Sequence, residues 1–567
     1  MSALIECVPN FSEGRDSGII QSITREIESV DGVRLLHVDQ GKATNRTVVT
    51  FVGEPAAIVE AAFIAIRKAG ELIDMRNHKG EHPRMGATDV CPLIPIGGIS
   101  LEETAAWAQK LAERVGRELS IPVYLYASAQ KDKSRSDLSV IRSGEYEGFS
   151  EKIKLPGWKP DFGPSAFDLQ RGATVIGARD FLVAYNVNLN TSSVRKANSI
   201  AFDVREAGRI KREGDPVNGK IVRDERGMPV NIPGSLKSVK AIGWYIEEYG
   251  MAQISMNLTN LSVTPLHIAF DEVCRKAENR GIRVTGSELV GLIPLQAMLS
   301  AGKYFLKKQK RSAGVSEKEL IRVAIHSMGL DELRPFKPEE KIIEYLLKDG
   351  SAEKMVHLSL SEFADETASE SPAPGGGSVA AYLGVLGISL AGMVANLSAI
   401  KKGWENRWEE FSEWAEKAQA LKQALMRLVD ADSRAFQAVM QAHALPKSTE
   451  TEKVNRERAI DEATAKAIVV PFQVMKLALE SMQILQVMVR KGNPNSVSDA
   501  GVGALCARSA VLGAGLNVRI NTVGSEKDEK MSAILVATEK MEKEAVLLEE
   551  EILRELKMDS WQRTVDS

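Results

Sequence analysis

Cysteine is scarce in this sequence, which has four in 567 residues. Cys7, Cys91, Cys274 and Cys506 lie far apart, with no C-x-x-C pair and no nearby histidine at zinc-ligand spacing. This spacing argues against a disulfide framework and a structural metal, so we expect a reducing compartment and no metal cofactor. The N-terminus also lacks the basic start and long apolar core of a signal peptide. The sequence therefore predicts a cytoplasmic protein.

A surplus of one charge is missing too, because 73 Lys and Arg residues balance 76 Asp and Glu residues and the formal net charge is −3. Without a global basic field, we expect neither nucleic acid nor an acidic membrane surface as a partner. The sequence also has no G-x-S-x-G elbow and no P-loop. Covalent catalysis by a serine and phosphate binding by a Walker loop therefore have little support.

One long uncharged run, residues 379–397, approaches the length of a membrane span. Gly384, Gly387, Gly392 and several alanines keep its side chains small, and charged residues precede and follow it. This composition favours a helix that is buried on all sides and closely approached by its neighbours. We therefore expect no membrane span, the alternative being a single transmembrane helix.

The chain is too long for one hydrophobic core. Up to about residue 300, β-rich runs and amphipathic stretches alternate in the order β-α-β-β-α-β, and this order occurs twice. Helical periodicity alone follows. The predicted fold class is α/β plus all-α, with two ferredoxin-like α/β sandwich subdomains followed by a C-terminal all-α helical bundle. The predicted domains are residues 1–180, 181–330 and 358–567, with a linker at 331–357.

Two of the seven histidines, His78 and His82, fall within one short loop-like segment. An imidazole with a pKa near neutrality can both take and give a proton, so this loop is a candidate catalytic segment. The alternative is a solvated turn. Asn10 and the pair Asn45-Arg46 lie at the ends of neighbouring predicted strands, so we expect these loops to converge.

Two glycine-bounded segments are candidate binding loops. The first is Gly163-Pro164-Ser165-Ala166-Phe167-Asp168-Leu169-Gln170-Arg171-Gly172, for which a plain connector is the alternative. The second, Gly375-Gly376-Gly377-Ser378, directly precedes the small-residue helix. Bare N–H groups at a helix N-terminus favour an anion such as a carboxylate, and a simple helix-start linker is the alternative.

Asp432 falls on the apolar stripe of a predicted helix, at helical spacing from Leu425, Leu428, Val429, Ala435, Phe436 and Val439. A carboxylate directed into an apolar interior is costly unless paired, and a raised pKa resolves that cost. A carboxyl of this kind suits a general acid or base. Asp430 falls on another face, where we expect a solvated, ion-paired carboxylate.

Several motifs together resemble the formimidoyltransferase-cyclodeaminase family over nearly the full chain. Those that resemble its transferase half are Cys7-Val8-Pro9-Asn10-Phe11-Ser12-Glu13-Gly14, Asn45-Arg46-Thr47-Val48, Gly80-Glu81-His82-Pro83-Arg84-Met85-Gly86-Ala87, Gly163-Pro164-Ser165 and Ile242-Gly243-Trp244-Tyr245. Those that resemble its cyclodeaminase half are Pro374-Gly375-Gly376-Gly377-Ser378, Val429-Asp430-Ala431-Asp432 with Phe436, and Leu445-Pro446-Lys447.

The resemblance implies two reactions of histidine degradation. Tetrahydrofolate, a polyglutamylated co-substrate, accepts the formimidoyl group of N-formimidoyl-L-glutamate, and 5-formimidoyltetrahydrofolate then cyclises to 5,10-methenyltetrahydrofolate with release of ammonia. His82 matches the transferase general acid/base, Gly163 to Gly172 the folate-binding segment and Asp432 the acidic residue of the cyclodeaminase. We add Asn10, Asn45, Arg46 and the Gly375 to Ser378 segment as expected substrate- or folate-binding residues.

The resemblance also implies a homo-oligomer that forms through the helical domain, whose small-residue face suits dimerisation. Two alternatives to the bifunctional enzyme stay open. In one, the transferase is fused to a domain of the methenyltetrahydrofolate cyclohydrolase type. In the other, the chain is a non-catalytic folate-binding or assembly protein.

Overall fold

The computed structural model describes residues 3–42, 44–80, 83–214, 219–347, 355–371, 373–523 and 529–565. His82 lies outside the described residues. The chain divides into two compact units, residues 1–298 with 325–347 and residues 299–324 with 348–567. The sequence placed residues 299–324 within the segment 181–330, whereas they cluster with the second unit. A mixed sheet and an antiparallel sheet occupy the N-terminal half and the C-terminal region is all-helical, which confirms the α/β plus all-α class.

The first sheet contains β1 (Leu4–Cys7), β2 (Asn10–Phe11), β3 (Val33–Gly41), β4 (Arg46–Gly53), β5 (Thr88–Gly97), β6 (Val123–Ala127) and β7 (Thr174–Ala178). Its order is β1-β4-β2-β5-β7-β6, with β3 on β4 and a further pairing of β1 with β5. Strand β7 is parallel to both β5 and β6. The helices of this part are α1 (Ser17–Glu28), α2 (Pro55–Leu72), α3 (Leu101–Glu118), α4 (Leu138–Arg142) and α5 (Glu145–Lys152).

Strand alternation places the core on one face of this sheet. Ile5 and Cys7 of β1 are fully buried in a cluster with residues of α1, α2 and α3. Since successive side chains of a strand point to opposite faces, Glu6 faces away from those helices. The opposite face of the sheet is therefore available to a binding site.

Helices α4 and α5 and strand β7 follow β6 and were not predicted from the sequence. Each is eight residues or shorter, too short to establish a hydrophobic period. Aromatic packing organises the region instead, since Tyr124 lies edge-on to Phe149, which in turn contacts Phe167. These contacts join residues distant in sequence, so no local pattern announces them.

The second sheet follows the order β11-β12-β8-β13, and every pairing in it is antiparallel. Its strands are β8 (Val183–Leu189), β11 (Val239–Ile246), β12 (Met251–Leu258) and β13 (Val284–Val290), and its helices are α6 (Val194–Val204) and α7 (Leu266–Glu278). Between α6 and β11, a separate two-stranded ribbon is formed by β9 (Arg209–Ile210) and β10 (Asn231–Ile232).

The remaining helices are α8 (Leu295–Lys308), α9 (Glu317–Met328), α10 (Pro338–Lys341), α11 (Ile343–Leu346), α12 (Leu360–Ala368), α13 (Gly376–Ala399), α14 (Trp408–His443), α15 (Glu450–Lys491), α16 (Val497–Thr522) and α17 (Glu529–Val565). Helix α13 packs against α14, α15 and α16. A Cβ on Gly387 would lie 2.8 Å from the Gly503 carbonyl oxygen, so its small residues do bring helices together. Burial on all sides is nevertheless wrong, because Leu386, Met393 and Leu397 of α13 are exposed.

Three helices, α13, α15 and α16, are long and apolar enough to cross a membrane by length and composition. The sequence identified the run in α13 alone. In α13, 61 % of the most apolar window is buried inside the protein, against 56 % in α15 and 50 % in α16. Helix packing within the chain therefore covers half or more of each window.

Candidate functional sites

Three loops of the first sheet meet, as the sequence predicted. The Ser12 hydroxyl donates to the Gly86 carbonyl (2.7 Å), and the Asn45 side-chain amide donates to the Lys79 carbonyl (3.0 Å). The Asn45 side-chain oxygen also accepts the Gly14 N–H (3.0 Å). The Asn45 side chain thus links the segment after β2 to the histidine loop, which is the segment that contains His78 and His82 in the sequence.

His78 is a structural member of this loop cluster. Its Nε2 lies 2.9 Å from the Asn45 carbonyl oxygen, and since a carbonyl can only accept, Nε2 carries the proton. Its Nδ1 then accepts from Arg84 Nε (3.2 Å), and Arg84 is buried and also pairs with Glu147 (2.6 Å). Burial lowers the pKa of His78, and the Arg84 charge lowers it further. A neutral imidazole with both nitrogens engaged therefore links Asn45 to Arg84.

A cavity of about 230 Å³ lies on the sheet face opposite α1 to α3. The second sheet contributes Ala184, Asn257 and Val290 to its wall. Its charged lining residues are Glu6, Asp39, Arg46, Arg142 and Arg179. Among the predicted binding residues, Asn10 and Arg46 line this cavity, whereas Asn45 does not.

A second cavity, of about 640 Å³, is lined by many of the same residues: Tyr126, Leu138, Arg142, Arg179, Leu182 and Asn257. Its lining includes Pro83, the residue that follows His82. The histidine loop therefore borders the larger cavity, and the smaller cavity adjoins it.

The smaller cavity is rich in cationic groups. Burial lowers the pKa of Arg46 to about 10, against the attraction of the Asp89 carboxylate. Arg142 pairs with buried Asp89. Arginines held in a partly enclosed site suit a ligand with carboxylates.

Sequence reasoning missed Glu6, which is 2 % exposed and lines the same cavity. Burial raises its pKa to about 7, against the lowering effect of Arg179. The signal was present in the sequence, since Glu6 is a charged residue inside the apolar strand Leu4-Ile5-Glu6-Cys7. A buried titratable group in a cavity marks a functional position.

The Gly163 to Gly172 segment is an ordered loop that lines neither cavity. Asp168 accepts the N–H groups of Gln170 and Arg171 and forms an ion pair with Arg171 (2.6 Å). Gly163 and Gly172 have φ values of +82° and +69°, which favour glycine. Between them, residues 163–166 are exposed.

In the helical unit, Asp432 of α14 lies against the N-terminus of α13. The Ser378 hydroxyl donates to its carboxylate (2.9 Å), and the Ser378 N–H donates as well. A Cβ on Gly377 would lie 2.2 Å from Asp432 Oδ1, so only glycine leaves room for the carboxylate. The predicted glycine segment and the predicted acid therefore form one site, in which a protein carboxylate occupies the helix N-terminus.

Burial raises the pKa of Asp432, while both hydrogen bonds from Ser378 act in the opposite direction. Both protonation states are thus closer in free energy than for a solvated aspartate. Asp430 differs from its prediction, because it is half-buried and accepts the Val356 N–H (3.4 Å), with no ion pair to any described residue. Phe436 is 43 % exposed, so the apolar stripe opens to solvent one turn beyond Asp432.

Asn517 and Asn521 of α16 make different contacts. Asn517 donates to the Gly513 carbonyl (2.9 Å), and its amide nitrogen would lie 3.7 Å from a Cβ on Gly376. Asn521 donates to the Ala467 carbonyl (2.8 Å). Asn517 is therefore part of the Asp432 site. Within the described ranges, no cluster of three or more His, Cys, Asp or Glu side chains could hold a metal.

An α/β unit with an arginine-lined cavity, followed by a helical unit with a half-buried carboxyl of raised pKa, is the arrangement of an enzyme with two sites. Family models agree with this division. The formiminotransferase domain, N-terminal subdomain, matches residues 4–179, the formiminotransferase domain matches 184–348, and formiminotransferase-cyclodeaminase matches 359–540.

Curated relatives extend this likeness over most of the chain. A formimidoyltransferase-cyclodeaminase of Mus musculus is 44% identical over 92% of this chain and 93% of its own length. A glutamate formimidoyltransferase of Thermoplasma acidophilum is 44% identical over 54% of this chain and 93% of its own. A methenyltetrahydrofolate cyclohydrolase of Methylorubrum extorquens is 35% identical over 35% of this chain and 96% of its own. The chain belongs to the formimidoyltransferase-cyclodeaminase family.

Proposed function

We propose that this protein is a bifunctional folate enzyme of histidine degradation, with glutamate formimidoyltransferase and formimidoyltetrahydrofolate cyclodeaminase activities. The observation that carries the proposal is the presence of both family halves in one chain, aligned over 92% of its length with a relative that bears both names. Each half contributes its own ionisable site. Tetrahydrofolate is the co-substrate, and we expect its tail to carry several glutamates.

In the transferase step, nitrogen five of tetrahydrofolate attacks the formimidoyl carbon of N-formimidoyl-L-glutamate. Nitrogen five loses its proton, the tetrahedral intermediate collapses as the carbon–nitrogen bond to glutamate breaks, and the leaving nitrogen takes a proton. His82 is the group we assign to this proton transfer, since it lies directly before Pro83 of the larger cavity wall. Arg46, Arg142 and Arg179 supply the positive charge that suits the carboxylates of the donor.

In the cyclodeaminase step, nitrogen ten attacks the same carbon of 5-formimidoyltetrahydrofolate. The imino nitrogen gains the proton that nitrogen ten loses and a second proton, and ammonia leaves to give the 5,10-methenyltetrahydrofolate cation. Asp432 is the group we assign to relay this proton, because burial raises its pKa and brings both protonation states within reach. Gly377 and Ser378 contact its carboxylate, and the exposed Phe436 lies one helical turn further along α14.

A direct assay tests both activities on the full chain. Given N-formimidoyl-L-glutamate and tetrahydrofolate, the protein should release glutamate and ammonia and raise the absorbance of the methenyl product. The likeness to a methenyltetrahydrofolate cyclohydrolase favours a second candidate for the helical unit. That candidate would consume 5,10-methenyltetrahydrofolate without releasing ammonia, and a non-catalytic protein would convert neither substrate.

The finer fold assignment belongs to the same proposal. We infer that both sheets are ferredoxin-like, and the order β11-β12-β8-β13 with helices after β8 and β12 supports this for the second. We also propose a cytoplasmic location, supported by four cysteines that are free thiols. The apolar helices α13, α15 and α16 then act as bundle helices, with no bilayer required.

We propose further that the protein is a homo-oligomer joined through its helical unit. Helix α16 exposes Val502, Leu505, Leu516 and Ile520 at helical spacing, and α13 exposes Leu386, Met393 and Leu397. Patches of this kind on a soluble protein mark interaction sites. Analytical ultracentrifugation should find a species larger than one 61.9 kDa chain. Leu516→Glu with Ile520→Glu should reduce it to monomer, whereas Val536→Glu, at an exposed site on α17, should not.

A further inference from the structure

We propose that Glu6 binds the cationic formimidoyl group of the donor substrate, while the arginines of the same cavity bind the donor's carboxylates. This inference rests on the proposed transferase function and assigns the smaller cavity to the donor. Glu6 is then a catalytic residue that contacts the group being transferred.

Two buried acceptors in this cavity lack a donor. Glu6 Oε2 and Asn10 Oδ1 have no hydrogen-bond partner among the described residues. The Asn10 amide nitrogen donates to the Val8 carbonyl (3.1 Å), which fixes the side chain so that its oxygen is the free end. Both residues are more than nine-tenths buried and both line the cavity. Unpaired buried acceptors are costly, so the site calls for a ligand with N–H groups.

The charges of the cavity complement the donor at both of its ends. The formimidoyl group is an amidine, which is a strong base and is cationic at neutral pH. Its coplanar N–H groups can donate to both oxygens of one carboxylate. The remainder of N-formimidoyl-L-glutamate carries two carboxylates, which match the guanidinium groups of Arg46, Arg142 and Arg179. The Glu6 carboxylate and the guanidinium groups therefore bind opposite ends of this substrate and fix its orientation in the cavity.

Pairing with Glu6 also assists the chemistry. A protonated amidine is a better electrophile than a neutral one, because attack at its carbon neutralises the positive charge. An ionised Glu6 keeps the group protonated until nitrogen five of the folate has attacked. The burial that raises the pKa of Glu6 to about 7 would be offset by the bound cation.

The test is Glu6→Gln in the full chain, a change that preserves shape and removes charge. The affinity for N-formimidoyl-L-glutamate, measured by calorimetry without folate, should fall by about 10- to 100-fold, as expected for a lost charge-assisted pair. The affinity for N-formyl-L-glutamate, a neutral isostere with the same carboxylates, should hardly change. The KM for tetrahydrofolate should stay the same, and so should cyclodeamination of supplied 5-formimidoyltetrahydrofolate. Glu54→Gln, at an exposed site, is the matched control and should alter neither ligand.

The pH dependence supplies a second readout. Donor binding by the wild-type chain should strengthen as pH rises through about 7, because Glu6 must lose its proton to pair with the cation. The charged groups that face it are Arg46, Arg142 and Arg179, and Asp39 is the other carboxylate of the lining. Glu6→Gln should lose this dependence, whereas an unchanged profile would assign it to Asp39 or to the histidine loop and overturn the proposal.

Other outcomes also decide the question. Equal losses for the formimidoyl and formyl ligands would make Glu6 structural. A raised KM for tetrahydrofolate alone would assign the cavity to the folate ring. If the wild-type chain transfers the formimidoyl group and Glu6→Gln binds the donor and transfers the group equally well, the proposed role of Glu6 is wrong but the proposed function stands. If the wild-type chain transfers nothing, the proposed function itself fails.

Discussion

His82→Ala is expected to reduce formimidoyl transfer by roughly 10²- to 10⁴-fold, the usual contribution of a positioned proton-transfer group. The same variant should convert supplied 5-formimidoyltetrahydrofolate at the wild-type rate, because the cyclodeaminase residues belong to the other compact unit. Separate assays of glutamate release and of ammonia release distinguish the two activities.

His78→Gln is the matched control for His82→Ala. Glutamine can replace the N–H that His78 donates to the Asn45 carbonyl, while the contact with Arg84 changes. We expect a smaller loss of transfer, through a less well-held loop. A loss of both activities in His82→Ala, with folding intact by circular dichroism, would contradict the assignment of two separate sites.

Long elements with regular patterns are predictable, and α13 contains the whole uncharged run 379–397. Pro55 fits the first turn of α2, where its missing N–H costs nothing. Helix α13 was recognisable from its uncharged run, yet its exposed face was not. Which faces of a small-residue helix contact other helices depends on tertiary packing. Composition alone does not determine that packing.

The residues of the candidate sites also differ in how far the sequence predicts them. Asp432 was predictable because helical spacing placed it among apolar residues, and burial does raise its pKa. Its contact with Gly377 joins residues 55 apart, and nothing local to either segment indicates that they meet. Glu6 was harder, since a single charge in a short strand is ambiguous until the opposite face of the sheet is known to line a cavity.

Asp432→Asn is expected to reduce cyclodeamination by roughly 10²- to 10⁴-fold and to spare formimidoyl transfer. The amide keeps the shape and can still accept from the Ser378 hydroxyl, so the fold should survive. Glutamate release at the wild-type rate, with ammonia release nearly absent, is the expected pair of measurements. An equal loss of both activities would contradict it.

Asp432→Asn should lower activity but raise the stability of the fold at neutral pH. Because burial raises the pKa of Asp432 above its value in the unfolded chain, ionisation costs the folded state more than the unfolded state. Wild-type stability therefore falls as pH rises from the unfolded pKa through the raised folded pKa, and Asp432→Asn lacks that loss. Its melting temperature should exceed that of the wild type at neutral pH and approach it in acid. Asp430→Asn, on the same helix turn, is the matched control.

Gly377→Ala separates the position of the carboxylate from its charge. The added methyl would lie 2.2 Å from Asp432 Oδ1, so the carboxylate must move away from the Ser378 donors. Cyclodeamination should fall although Asp432 is still present, and melting temperature should fall as well, in contrast to the rise in Asp432→Asn. Asp432→Asn removes the charge and keeps the contact, whereas Gly377→Ala keeps the charge and removes the contact. If both variants lose cyclodeamination and their melting temperatures shift in opposite directions, the carboxylate is held at the helix N-terminus for catalysis at the expense of stability.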